Sequence, residues 1–366
     1  MKHFFAIFIL FVLFFAVRGE DVEESSTGEL LNPKFVFLFI GDGMGSVHPI
    51  MSQIKLQEQD VFLGIDFLKF PVQLPTVTRS ADKVVTDSAA GATAIACGVK
   101  TNNGYLGLDA EGKAVESIVE YAKRKNRKVG IISSTNINSA TPAAFFSHSN
   151  IKVGSYSLGA ELIKSNFDLI AGGVLLNHSI PNKKRLYDLA EESGYTVIRA
   201  LKQINELNIA EGEKILATVP KKMEYNRHPR YGNVTLAQLV QFGIDFLMNE
   251  NGFVMVIEGG LIEVNSHANQ TNAVVGEIAE FNDAVKVAYD FAKMYPKSAL
   301  VIVTADHETG DLQTMDNKNF YWKSYGNTAK DITTYIFGAN QEYFIPETDT
   351  QFHNSDIGKK LKEMIQ

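Results

Sequence analysis

Short runs dominated by apolar residues recur along the chain. Strands with one solvated face alternate between apolar and polar residues, whereas strands covered by helices on both faces are apolar almost throughout. The runs of five or six residues at 35–40, 129–133, 253–257, 299–304 and 332–337 are therefore predicted to be buried strands.

Stretches with helical character lie between these runs, at 89–97, 115–125, 236–249, 273–294 and 355–365. Strands that alternate with helices predict a mostly parallel sheet covered on both sides. The fold class is therefore expected to be α/β, a three-layer αβα sandwich. We expect a single domain at 33–366, with the Lys- and Asn-rich region around 155–230 as an insertion.

The first nineteen residues differ from the rest of the chain. Lys2 and His3 precede an unbroken apolar run at 4–17, which is too short to span a bilayer but fits a secretory signal peptide. We expect residues 1–19 to be cleaved, a flexible leader at 20–32, and a secreted protein, periplasmic or extracellular. Arg18 is unusual so near a cleavage site, which leaves an uncleaved membrane anchor as the alternative.

Charge and cysteine content narrow the function classes. The net charge of −7 becomes −9 without Lys2 and Arg18, so nucleic-acid binding is not expected. Cys97 is the only cysteine, which excludes an intrachain disulfide. An exported fold would therefore depend on its core or on bound metal.

One polar turn, residues 86–91, opens the predicted helix at 89–97. It places Ser88 after Asp87 and before two alanines and Gly91, so that no bulky side chain shields the backbone N–H groups of the turn. Such a helix start is open to a phosphate group. The alternative is an ordinary helix cap provided by Thr86 or Asp87.

Polar residues follow four of the predicted strands, where ligands of open α/β sheets bind. Together they offer carboxylate, imidazole and hydroxyl groups, a set that suits divalent metals. The pair Glu263 and His267 is four residues apart, so both side chains can reach one ion. Taken singly, each acid and histidine pair would be read as an exposed acid beside a hydrogen-bonded histidine. The strand-end residues are Asp42, Ser139 with Thr141, Glu258, and Asp306 with His307.

Six motifs in order give the sequence a resemblance to the alkaline phosphatases that covers residues 35 to about 361. They lie at 39–45, 85–93, 98–104, 140–144, 258–267 and 304–307. The resemblance implies hydrolysis of phosphate monoesters by a metal-dependent enzyme, and a homodimer is compatible with it. A sulfatase would need Pro and Arg after the nucleophile, and related phosphodiesterases commonly use Thr instead of Ser88.

The resemblance also implies a role for each motif residue. Ser88 would be the nucleophile that becomes phosphorylated, with Asp87 beside it in the substrate site. One zinc would be held by Asp42, Asp306 and His307 and would contact Ser88. A magnesium would be held by Asp42, Thr141 and Glu258, and a second zinc by Glu263, His267 and a residue near Asn327.

Three positions depart from the family pattern. Lys152 stands where the family has a phosphate-clamping arginine, and lysine lacks the two-pronged guanidinium. Glu263 replaces an aspartate, and Asn327 replaces a histidine, although an amide is a poor zinc ligand. His353 is an alternative third ligand. The main hypothesis is an active phosphomonoesterase, and the alternative is a phosphate- or metal-binding relative with impaired turnover.

Overall fold

The computed structural model describes residues 30–59, 64–150, 153–199, 212–218, 234–316, 318–347 and 349–366. The predicted signal peptide, most of the predicted leader and Lys152 lie outside these residues. At the end of the predicted leader, Leu31 exchanges hydrogen bonds with the Asn340 side chain, and the Asn32 side chain accepts one from Arg127. The compact unit that contains the sheet begins at Leu31 and extends to Gln366.

The described residues form fourteen strands and ten α-helices, together with short 3₁₀ turns at Asp66–Lys69 and Gln341–Phe344. The strands are β1 (Phe35–Ile40), β2 (Val72–Val77), β3 (Lys128–Asn136), β4 (Leu169–Gly173), β5 (Tyr195–Ile198), β6 (Lys214–Thr218), β7 (Phe253–Glu258), β8 (Ala299–Thr304), β9 (Glu308–Thr309), β10 (Gln313–Thr314), β11 (Phe320–Tyr321), β12 (Asn327–Thr328), β13 (Ile332–Gly338) and β14 (Phe352–His353). The helices are α1 (Val47–Gln57), α2 (Ser88–Cys97), α3 (Ile118–Arg124), α4 (Ala140–Ala143), α5 (Tyr156–Lys164), α6 (Leu186–Glu192), α7 (Leu236–Leu247), α8 (Leu261–His267), α9 (Thr271–Met294) and α10 (Asn354–Met364).

Ten of the strands form one sheet in the order β14-β2-β13-β8-β1-β7-β3-β4-β6-β5. Neighbours are parallel except for β13, which runs antiparallel to both β8 and β2. In the centre, Ile40 at the end of β1 is in register with Glu258 of β7 and with Thr304 of β8. The carboxyl ends of these three strands therefore lie side by side, and the loops that leave them emerge at one edge.

The central strand β1 packs through a different set of side chains on each face. Phe35, Phe37 and Phe39 belong to a hydrophobic cluster with residues of α1, α7 and α9. The ring centroid of Phe39 lies 5.7 Å from that of Phe281, and that of Phe37 lies 5.5 Å from that of Phe291. Side chains alternate across a strand, so the intervening residues of β1 face the opposite layer. There α2, α3 and α10 pack on one another.

The architecture confirms the predicted α/β class and the three-layer sandwich with a mostly parallel sheet. All five predicted strands are present, although the last, β13, is the antiparallel one. The pattern did not predict β2, whose burial alternates along its length and which contains Pro75. Parts of the predicted insertion are described as α5, β4, α6, β5 and β6, and their strands join the central sheet. No helix in the described part of the chain is both long enough and apolar enough to cross a membrane.

Helix α2 presses closely against the end of β8. The helix is buried from Ala89 to Cys97. A Cβ atom at Gly91 would lie 2.7 Å from the backbone oxygen of Asp306, a distance that real contacts do not show. Glycine at this position therefore lets the helix approach the strand end and brings Ser88 close to the residues that follow β8.

We expect Gly91→Ala to lower the free energy of unfolding by about 1–3 kcal/mol, because the added methyl group meets rigid backbone. Gly243→Ala in α7 is the matched control, since its Cβ would meet mainly the flexible end of Met255. There the higher helix propensity of alanine should leave the protein unchanged or slightly stabilised. Urea denaturation measures both variants, and equal losses would contradict the close approach of α2 to β8.

Candidate active site

Ser88 is the first residue of α2. The preceding Asp87 has extended backbone and caps the helix, its Oδ1 accepting a hydrogen bond of 2.9 Å from the backbone N–H of Ala90. Of the two predicted caps, Asp87 is therefore the one that forms. The Oγ atom of the half-buried Ser88 lies 3.2 Å from Nε2 of His307. The cap and the nucleophile position are thus adjacent features of one helix start.

Three strand-end residues could share one ion. Asp42, Asp306 and His307 are buried, and each offers a ligand atom within 4.8 Å of the others. Nε2 of His307 lies 3.3 Å from Oδ2 of Asp306 and 3.6 Å from Oδ1 of Asp42. Both of those carboxylate oxygens are buried without a hydrogen-bond partner. Buried anionic oxygens that lack partners are the donor set a divalent cation requires, so these residues fit one.

Thr141 and Glu258 lie on the β7 and β3 side of Asp42. The Thr141 hydroxyl donates to Oδ2 of Asp42 over 3.3 Å. Glu258 ends β7 and accepts hydrogen bonds from the hydroxyls of Ser133 and Thr135, the latter over 3.2 Å. Ser133 and Thr135 were not predicted as site residues. Their position within β3, in register beside β7, is what brings them to Glu258.

Glu263 and His267 both lie on α8, one turn apart. The distance between Oε1 of Glu263 and Nε2 of His267 is 3.3 Å, and Nδ1 of His267 contacts the backbone oxygen of Tyr325. Oε1 of Glu263 also lies 3.5 Å from Nε2 of His307, so Glu263 joins the two groups of ligands. Gly43 has a φ of 71° and its backbone lies against the side chains of Glu263 and Thr309. A Cβ atom at this position would collide with both side chains.

Asn327 lies at the centre of the site, in β12 against β9. Its Nδ2 is 3.2 Å from Nε2 of His307, while its Oδ1 accepts a hydrogen bond of 2.9 Å from the Thr309 hydroxyl. The amide oxygen, the one atom of Asn327 that binds metals well, is therefore already engaged. Thr309, which was not predicted from the sequence, also approaches Nδ1 of His307 to 3.3 Å.

The electrostatics follow from several carboxylates meeting in a buried space. Burial, and then the negative charges of Asp306, Glu263 and Glu258, raise the pKa of Asp42 well above its ordinary value. Burial likewise raises the pKa of Asp306, and raises that of Glu258 to about 7 despite a hydrogen bond from Ser133. For Glu263, burial is outweighed by the hydrogen bond from His267 and other contacts, and the pKa is lowered. Three of these four carboxylates therefore have raised pKa values.

Two predicted residues, Asp87 and His353, make their described contacts outside this cluster. Lys152 lies outside the described residues, and His148, four positions earlier, bonds through its ring nitrogens to Gly107 and Glu120. Asp87 uses one carboxylate oxygen as the helix cap, so its part in substrate binding stays a prediction. His353 lies in β14 at the end of the sheet, where its charged neighbours are Lys100, Asp356, Arg79 and Lys359.

Comparison with known proteins defines the class. The alkaline phosphatase family model matches residues 33–171 and 182–363. Alkaline phosphatase 4 of Bacillus subtilis is 30% identical over 300 residues, covering 78% of this chain and 64% of the relative. The alkaline phosphatase of Escherichia coli is 29% identical over 368 residues, covering 81% of this chain and 78% of the relative.

Solved structures agree with the sequence matches. The alkaline phosphatase of the Antarctic bacterium TAB5 has a TM-score of 0.78 at 28% identity, covering 92% of this chain and 99% of that one. A mutant of the TAB5 enzyme has Mg bound in its M3 site. The fold is thus that of the alkaline phosphatases, and the chain belongs to the alkaline phosphatase family. It is shorter than some members, spanning 64% of the Bacillus relative and 56% of the repressible alkaline phosphatase of Saccharomyces cerevisiae.

Proposed function

We propose that the protein hydrolyses phosphate monoesters through a phosphoserine intermediate at Ser88, with divalent metal bound at the strand ends. One observation carries the proposal. The Ser88 Oγ atom lies 3.2 Å from Nε2 of His307, beside two buried carboxylates with unpaired oxygens. A hydroxyl at a helix start beside buried carboxylates that suit a divalent cation is the arrangement that phosphoryl transfer needs.

Asp42, Asp306 and His307 would hold one ion, and Asp42 with Thr141 and Glu258 would hold another. By analogy with the family we assign Zn²⁺ to the first set and Mg²⁺ to the second. When bound, such ions lower the pKa of the serine hydroxyl and offset the negative charge of the phosphate.

The chain's own residues bind and orient the reactants. The amino end of α2 directs its partial positive charge toward the incoming phosphate. Ser88 Oγ gives up its proton and attacks the phosphorus. An O–P bond forms to the serine, the bond to the leaving alcohol breaks, and the alcohol oxygen takes up a proton, so no proton is gained or lost overall. Attack by water on phosphoserine then releases inorganic phosphate and returns the hydroxyl of Ser88.

The tautomer of His307 follows from its neighbour Thr309. The Thr309 hydroxyl donates its one proton to Oδ1 of Asn327, so it can only accept from Nδ1 of His307. Nδ1 therefore carries the ring proton, and Nε2 is left with the lone pair that a metal ligand needs. Thr309 is a positioning residue for His307.

The second candidate function is that of a phosphate- or metal-binding protein with impaired turnover. The contacts of Asn327 are the observation that favours it. The amide oxygen of Asn327 already accepts a hydrogen bond from Thr309 and is a poor zinc ligand, so Glu263 and His267 would be the main partners for a second zinc. Loss of a ligand weakens that half of the site, which in this account serves hydrolysis of the phosphoserine. Phosphorylation of Ser88 would then be fast, and hydrolysis of the phosphoserine would be slow.

Location and assembly are part of the same proposal. We infer export through residues 1–19, membrane attachment only if that segment is kept, and no nucleic-acid partner given the net charge of −7. A homodimer is proposed on the family resemblance alone. Size-exclusion chromatography with light scattering, and sequencing of the mature amino terminus, test these points.

The phosphoserine can be trapped directly. We expect acid quenching during turnover of p-nitrophenyl phosphate to leave one phosphoryl group on the peptide that contains Ser88, detected by mass spectrometry. Ser88→Ala should lose the label and at least roughly 10³-fold in kcat, because the nucleophile is removed.

The control is Ser134→Ala, which removes a nearby buried hydroxyl that has no hydrogen-bond partner. This variant should keep both label and rate. Label on another residue, or a Ser88→Ala enzyme that keeps more than a tenth of its rate, would refute the assignment of Ser88.

Asn327→His tests the weak half of the site. We expect an imidazole here to raise kcat at saturating Zn²⁺ by about tenfold or more, because single changes around metal ligands alter activity on this scale. Asn327→Gln, which keeps an amide on a longer arm, is the control and should bring no gain. If the histidine variant turns over no faster than the natural protein, Asn327 does not limit the reaction.

A further inference from the structure

We propose that a cationic pocket beside the loop that leads to Ser88 binds a second phosphate group of the substrate, giving the protein a preference for bisphosphates. The inference rests on the proposed phosphatase function and deepens it. The pocket has a volume of about 420 Å³, within the usual range for small-molecule sites, and its charged walls are Arg79, Lys83, Lys100 and Asp82.

The pocket opens at the same edge of the sheet as the active site. Because β13 is antiparallel to both β8 and β2, those two strands run in the same direction. Arg79 follows the end of β2 as His307 follows the end of β8. From Lys83 the chain reaches Ser88 in five residues, a span of at most about 18 Å. One substrate of modest length can therefore touch both places.

Asn103 fixes the distance between the pocket and the nucleophile. Its backbone N–H donates to Oδ1 of Asp82 over 2.9 Å, and its side-chain amide donates to the backbone oxygen of Val85 over 3.1 Å. Its Oδ1 accepts from the backbone N–H of Asp87 over 3.3 Å. The loop is thus tied at three points between the pocket and α2, which pre-organises the two sites for one ligand.

A second connection runs through Lys100. Its Nζ donates to Oδ1 of Asn354 over 2.6 Å and to the backbone oxygen of Val77 over 3.3 Å. The amide of Asn354 donates in turn to the backbone oxygen of Gly91 in α2. Lys100 thus links the wall of the pocket to α2 through Asn354.

The pocket carries an excess of positive charge. Within the described ranges, neither Arg79 nor Lys83 nor Lys100 forms an ion pair with a carboxylate. The one acid in the wall, Asp82, accepts hydrogen bonds from Asn103 and Ser80 instead. Burial lowers the pKa of Lys100 to about 7 although the carboxylate of Asp356 opposes the shift, so the charge of the pocket comes mainly from Arg79 and Lys83. A bound phosphate would supply the missing negative charge, and the guanidinium of Arg79 suits it.

The test compares linear alkanediol bisphosphates of increasing length with alkanol monophosphates of the same length. At the best length we expect kcat/KM to favour the bisphosphate by about tenfold or more, the effect of one charged hydrogen bond. The ratio should fall to about two, the value for a substrate with two equivalent ends, in the double variant Arg79→Gln with Lys83→Gln.

The control is Arg124→Gln with Lys125→Gln, which removes the same charge at the end of α3, before β3 begins and so at the opposite edge of the sheet. It should keep the natural ratio. A natural ratio near two at every length, or a high ratio that survives in the Arg79 and Lys83 variant, would overturn the proposal.

A binding measurement tests the pocket independently of the proposed phosphatase reaction. If no monoester is hydrolysed, the phosphatase function fails, and calorimetric titration with the bisphosphate still reports on the pocket. About tenfold weaker binding to the Arg79 and Lys83 variant than to the natural protein supports the pocket. Equal affinity for both proteins refutes it.

Discussion

Mutual repulsion among buried carboxylates is the constraint on which the active end of this molecule depends. Asp42, Glu258 and Asp306 are almost fully buried, and two of their oxygens have no hydrogen-bond partner. An isolated charge in such a place is strongly unfavourable, so folding tolerates the cluster only with protons or cations. The sheet creates the problem, because the register of β1 with β7 and β8 aligns three strand ends.

The surrounding structure treats the two halves of the site differently. On the Ser88 side, Gly91 admits the helix and Thr309 orients His307, so the nucleophile and its ligands are held by backbone packing and hydrogen bonds. On the other side, the side chain of His267 is 43% exposed, and the amide oxygen of Asn327 accepts a hydrogen bond from the Thr309 hydroxyl. The first half is held by packing and hydrogen bonds and the second is more exposed, and the departures from the family pattern at Glu263 and Asn327 lie in the second.

Much of the fold could be predicted from the sequence, because strands buried on both faces leave apolar runs that need no knowledge of their neighbours. Strand β2 left no such run, since only alternate residues of it are buried and it lies between β13 and β14. In the site, Asp42 and Asp306 were evident from their places after strands. Thr309, Ser133 and Thr135 were not, because a hydroxyl gains its role only from the side chain that tertiary structure places opposite it. The sequence also left open whether Thr86 or Asp87 caps the helix that begins at Ser88, and only the structure identifies Asp87 as the cap.

If repulsion among the buried carboxylates governs this end of the molecule, stability should depend on divalent metal. Thermal unfolding at pH 8 should be followed for the natural protein and for Asp42→Asn, each with Zn²⁺ and Mg²⁺ and again with an excess of chelator. We expect the chelator to lower the Tm of the natural protein, and metal-free Asp42→Asn to be more stable than the metal-free natural protein, because one repelling charge is gone. The opposite result would be a Tm of the natural protein that does not change with chelator, together with an Asp42→Asn variant that is less stable than the natural protein without metal. That result would contradict the role of carboxylate repulsion.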